Sequence, residues 1–125
     1  MVVAAGVAGA LALRDRGVVP VAANSVAAID PQRLRVVASV SVGRRPLFVP
    51  AGGGSVWVAA VGDQTLTQID PKTFRVTATV GLGFEPTDIE AAGDHVWVAG
   101  GYDHTLWRVD RDGVPRVKLR FRERY

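Results

Sequence analysis

His104 is the side chain of this chain best suited to chemistry. It follows Tyr102 and Asp103, and an imidazole beside a carboxylate can serve as a general base or a metal ligand. One histidine builds neither site alone. The other, His95, reads as a hairpin-turn residue. The chain has no cysteine, which excludes disulfides, thiolate metal sites and cysteine nucleophiles. Gly52-Gly53-Gly54-Ser55 lacks the Gly-Lys-Ser/Thr ending of a phosphate loop. There is no H-E-x-x-H zinc motif and no G-x-S-x-G nucleophile elbow. Asp30, Asp70 and Asp110 come forty residues apart. That places them in equivalent structural units, too far apart for a catalytic pair, and reads as turn aspartates accepting backbone N–H bonds.

The elements that would position these residues are set by a repeat. Residues 24–63 and 64–103 align without a gap and match at 16 of 40 positions. Ile29-Asp30-Pro31 returns as Ile69-Asp70-Pro71, and Val56-Trp57-Val58-Ala59 as Val96-Trp97-Val98-Ala99. A fixed period of this length marks an array whose unit is one supersecondary block. Within a period, stretches rich in Val, Ile, Thr, Trp and Phe alternate on a two-residue rhythm. Val76, Ala78, Val80 and Leu82 oppose Thr77 and Thr79, for example. That is strand periodicity on a half-buried surface. Pro, Gly, Asp and Thr punctuate the stretches. Four short antiparallel strands per forty residues predict an all-β chain of propeller blades.

The runs V-W-V-A, [TS]-[LV]-x-x-I-D-P and V-x-A-[TS]-V-x-[LV]-G-x-x-P resemble the YVTN-type β-propeller repeats. Proteins similar to the amine dehydrogenase β subunit and to virginiamycin B lyase carry such repeats. The resemblance spans about residues 24–121. In its order, 24–43 supply half a blade, 46–83 one blade and 86–121 another, an incomplete propeller of about two and a half blades. Complete rings use about 4–8. The expectation is therefore a piece of a longer propeller, with further blades or self-association covering its open ends.

In such a fold, function gathers on the end carrying the loops into the first and third strands of each blade. These loops are 43–46, 61–64, 83–86 and 101–104. The candidate ligand-binding residues are Arg44, Arg45, Asp63, Phe84, Glu85, Asp88, Tyr102, Asp103 and His104. Several differ between repeats where the strands agree: Arg44 and Arg45 become Phe84 and Glu85, and Phe48 becomes Asp88. Divergent loops on a repeated scaffold suit grafted function. The expected role is a non-catalytic binding or sensor module for a protein or small-molecule ligand, with no cofactor and no resident metal. The resemblance also allows a metal-dependent lyase, with His104 as its catalytic candidate. Trp57 and Trp97 read as packing between sheets. Trp107, with Ala27 and Thr67 as counterparts, could pack or face a ligand.

Residues 1–23 read as an apolar leader and linker. Val2 to Leu13 are uniformly apolar and Arg14-Asp15-Arg16 ends the run. A truncated membrane anchor, a signal segment or a plain leader all fit, and the first two place the propeller outside the cytoplasm, anchored or secreted. The net charge is a modest +3, but the C-terminal stretch Arg116-Val117-Lys118-Leu119-Arg120-Phe121-Arg122 alternates basic and apolar residues. This suits either an anionic partner or an outer strand guarded against edge pairing. No aromatic alternates with its basic residues, so nucleic acid is not an expected partner. One extra residue separates Asp110 from Val117 compared with Asp70 and Val76, which predicts a looser turn there.

Overall fold

In a computed structural model of the protein, residues 19–122 and the backbone of 2–6 are described. The Arg14-Asp15-Arg16 end of the apolar run lies outside them. The strands are β1 (Val2–Gly6), β2 (Ser25–Asp30), β3 (Arg35–Ser41), β4 (Pro46–Phe48), β5 (Ala51–Gly52) and β6 (Ser55–Ala60). They continue with β7 (Thr65–Asp70), β8 (Arg75–Gly81), β9 (Asp88–Ala92), β10 (His95–Gly100), β11 (Thr105–Val109) and β12 (Pro115–Arg120). Among the described residues they form three sheets, β1-β2-β3, β4-β6-β7-β8 with β5 also on β6, and β9-β10-β11-β12. All pairings are antiparallel. The chain is all-β, an incomplete propeller of successive blades.

The repeat governs backbone detail. Asp30 Oδ1 accepts the N–H groups of Gln32 (2.9 Å) and Arg33 (3.2 Å), and Asp70 Oδ1 that of Lys72 (2.8 Å). These turn bonds, from Arg33 above all, hold the Asp30 carboxyl below its ordinary range. Each of the three outer hairpins carries a bulge, between Ala28/Ile29, Gln68/Ile69 and Arg108/Val109. Asn24, Gln64 and His104 share a left-handed conformation at φ 54°, 55° and 53°. Their carbonyls accept the N–H groups of Val42, Leu82 and Phe121, tying each loop to the end of its outer strand.

Two expectations need correction. Val2–Gly6 lies in a sheet, not in a leader ahead of one. Val2 pairs with Ile29 and Gly6 with Ser25, the register in which Val56 pairs with Ile69 and Ala60 with Thr65. Val2-Val3-Ala4-Ala5-Gly6 is thus the first blade's version of β6 and β10. A Val/Ala run satisfies a strand as readily as an apolar helix, and the edge of β2 offers backbone groups that need partners. The forty-residue rhythm hides this strand, because residues 7–24 stand where four residues, 61–64, connect β6 to β7. The second correction concerns β12. Val117 lies opposite Arg108 as Ala78 lies opposite Gln68, so the third blade's outer turn is one residue shorter, not longer, than the second's.

Cores sit between blades. Trp57, Leu66 and Val80 of the second blade pack with Ile89, Val96, Val98 and Val109 of the third. Val26 of the first packs with Val56, Val58 and Ile69 of the second. A buried polar link crosses the larger interface, where Gln68 Nε2 donates to Ser55 Oγ at 2.9 Å and to the Arg111 carbonyl at 2.7 Å.

Candidate functional site

In each four-stranded blade the connection into the first strand and the connection from second to third strand lie at one end of the sheet. Loops 43–46 and 61–64 meet there. Arg44 N–H and Nε donate to the two Asp63 carboxylate oxygens at 2.8 and 2.6 Å. Gly62 N–H and Val61 N–H return bonds to the carbonyls of Arg44 and Arg45. The Arg44 N–H bond first, then the guanidinium, holds the Asp63 carboxyl below its ordinary range. The stabilisation from this pairing is complete above the ordinary carboxylate range and is lost as pH falls through the lowered native value. Arg45, left-handed at φ 56°, donates its N–H to Asn24 Oδ1 of the first blade at 3.2 Å.

The equivalent third-blade loops are joined differently. Gly101 N–H donates to Thr87 Oγ1 at 2.8 Å and Thr87 N–H to the Ala99 carbonyl at 2.8 Å. Residues Gly101–Asp103 make one 3-10 turn, closed by left-handed His104. Tyr102 is 77% exposed, and Glu85, Asp103 and His104 are exposed beside it. Asp88, at the start of β9, is exposed and accepts the Ile89 N–H at 2.8 Å.

Phe84 does not stand exposed on its loop. It is 5% exposed and belongs to the larger core. Its ring meets Trp107 edge-on, centroids 5.3 Å apart, and fills the space a side chain at Gly100 would need, since a Cβ there would lie 2.4 Å from the ring. The change from Arg44 to Phe84 therefore converts a surface ion pair into a hydrophobic plug. A loop phenylalanine among polar neighbours reads equally well as exposed or tucked, and its burial depends on Gly100 and Trp107.

His104 is aligned with Gln64 and Asn24 in conformation as well as in sequence. Among the described residues no group of three or more His, Cys, Asp and Glu side chains could hold a metal ion. His95 lies at the opposite end of the blade, 3.2 Å from the Asp94 carboxylate, beside a network in which Arg108 and Arg116 bind Asp110 at 2.9 and 3.2 Å.

A second concavity lies at the outer flank of the third blade and was not anticipated from sequence. It encloses about 340 Å³ between Gly83, Phe84, Asp103, Trp107, Lys118 and Arg120. Trp107 lies directly opposite Lys118, whose Nζ stands 4.2 Å from the centre of the indole. An aromatic residue thus reaches the basic side of β12 from the neighbouring strand, a cross-strand relation that inspection along the C-terminal stretch does not reveal.

No protein-family model matches the chain, and no curated protein matches its sequence. Solved structures do resemble it. Kuenenia stuttgartiensis hydrazine synthase superposes with a TM-score of 0.70 at 16% identity, over 78% of this chain and 30% of that one. Citrobacter koseri AztD gives 0.60 at 15% identity over 78% and 30%, and its apo form 0.59 at 14% over 79% and 30%. The chain spans about 30% of the length of these structures. They are β-propeller-type proteins, and at these identities the likeness shows one thing: this chain has the fold of part of a β-propeller.

Proposed function

We propose that the chain is part of a YVTN-type β-propeller that works outside the cytoplasm as a binding or sensor module, engaging a protein or small-molecule ligand through its loop-bearing end. The observation that carries this reading is the gathering of exposed, chemically varied side chains (Arg45, Glu85, Tyr102 and Asp103) on loops 43–46, 83–86 and 101–104. The blades beneath them repeat in register and turn geometry. A rigid repeated scaffold under divergent loops is the arrangement from which recognition surfaces are built. Further blades complete the ring in this reading.

The combined variant R45A/E85A/Y102A tests it. Screened against panels of glycans and exported proteins, it should lose the interactions of the parent while its unfolding midpoint stays unchanged. Retention of every interaction would overturn the assignment to this end. The lyase reading makes the opposite demand, since a divalent metal would have to raise the melting temperature of the parent and not of His104→Ala.

A further inference from the structure

We propose that the flank cleft of the third blade is a second binding site, specific for small organic anions that join a carboxylate, sulfate or phosphate group to an apolar ring. It lies on the side of the blade lined by Trp107, Lys118 and Arg120 and borders the axial loops at Gly83 and Asp103.

Three blades share one backbone and differ at these positions. Ala27 pairs with Ser39 and Ser25 with Ser41 in the first blade. Thr67 pairs with Thr79 and Thr65 with Gly81 in the second. Trp107 pairs with Lys118 and Thr105 with Arg120 in the third. Two blades fold with small, uncharged residues at the positions of Trp107, Lys118 and Arg120. The backbone itself therefore does not require a basic pair there, while the indole also packs against Phe84. Nor does protection of an outer strand require the pair, because β3 and β8 are also the outermost strands of their sheets and carry Ser39, Ser41, Thr79 and Gly81 at these sites.

What the three replacements create together is a binding geometry. Lys118 and Arg120 are two residues apart on one side of β12, about 7 Å from each other along the strand, a span that one oxyanion can bridge through its separate oxygens. Among the described residues neither has a carboxylate partner, and Lys118 Nζ, 4.2 Å from the indole centre of Trp107, is held beside the ring that a ligand would meet. Phe84 fixes the indole edge-on from below, which makes Trp107 a rigid apolar wall with little ordering cost on binding. The volume of about 340 Å³ lies at the small end of ligand pockets and suits one ring with its acidic group. Asp103 at the rim disfavours ligands carrying a second anion on that side.

Phenyl phosphate, inorganic phosphate and benzyl alcohol are the probes, titrated into the purified protein while tryptophan fluorescence is followed, a readout that does not depend on oligomer size, with Trp107→Phe identifying the Trp107 signal. The proposal expects phenyl phosphate to shift the Trp107 signal saturably. The K118T/R120G variant, which installs the second blade's residues, should weaken it about tenfold or more, the loss of two charge-assisted contacts. Far-UV circular dichroism and the melting temperature of the variant should match the parent. Inorganic phosphate and benzyl alcohol should each bind at least about tenfold more weakly than phenyl phosphate, because each has one half of the recognised structure. Unchanged affinity in K118T/R120G, or no shift at millimolar phenyl phosphate, would overturn the site. Equal binding of inorganic phosphate or of benzyl alcohol would overturn its specificity for ring-bearing anions.

Discussion

The exchange between Arg44 and Phe84 shows how much one loop position can change while the backbone around it persists. Arg44 is exposed, and its charge is used at the surface against Asp63. Phe84 is enclosed by Trp107 and Gly100, where removal of the ring would leave a cavity at a blade junction. Phe84→Ala should therefore cost about 3–5 kcal/mol in urea unfolding, the range for a buried phenylalanine, whereas Arg44→Ala should barely move the curve because exposed ion pairs add little. Equal effects of the two would contradict the burial of Phe84. The same comparison explains why divergence between repeats is a poor guide to function by itself. Phe84 diverged toward packing, while Trp107, Lys118 and Arg120 diverged toward an open cleft.

The turn between β11 and β12 is the element that locks the third blade to the second. Gly113 sits there at φ 78°, and a Cβ on it would lie 2.4 Å from the Ala78 Cβ of the second blade. The neighbouring Arg111 carbonyl receives the buried Gln68 amide. Gly113→Ala must therefore meet both a left-handed backbone and a backbone-rooted clash. Gly83, at φ 72°, has nothing within 4 Å of such a Cβ and meets the backbone term alone. Denaturant melts should show Gly83→Ala losing about 1 kcal/mol and Gly113→Ala about 2–4 kcal/mol. Equal losses would mean that the turn does not press on the second blade. The shortened turn also decides which β12 residues oppose Trp107, so one deleted residue in a hairpin determines whether the flank cleft exists.

Across the whole chain the blades are unequally covered. Trp57, Leu66 and Val80, facing the third blade, are 1%, 0% and 8% exposed. Their third-blade counterparts Trp97 and Leu106 are half-buried and Leu119 is 44% exposed. The face that joins the second blade to the third is thus repeated on the third with no described sheet against it, an apolar surface of the kind that seeks a partner. In sedimentation velocity the 125-residue chain should run as oligomers or aggregates, and L106E/L119K should shift it toward monomer. A compact monomer of the parent chain, with one sharp thermal transition, would contradict the need for further blades.

Whereas the Asp110 carboxylate binds Arg108 and Arg116 rather than backbone N–H groups, strand identity, blade order and the turn roles of Asp30 and Asp70 could be read directly from the chain. Each rests on interactions within a few residues: two-residue alternation, proline and glycine at turns, and carboxylates capping nearby N–H groups. Forty-residue recurrence then made the blade unit unmistakable. The rest depended on residues far apart. The strand Val2–Gly6 pairs with β2 across an insertion that breaks the period. The burial of Phe84 depends on the absence of a side chain at Gly100, and the meeting of Trp107 with Lys118 depends on a register set by a turn length. Local patterns encode which way a side chain points from its sheet, but what stands on the other side belongs to the packing of sheet against sheet.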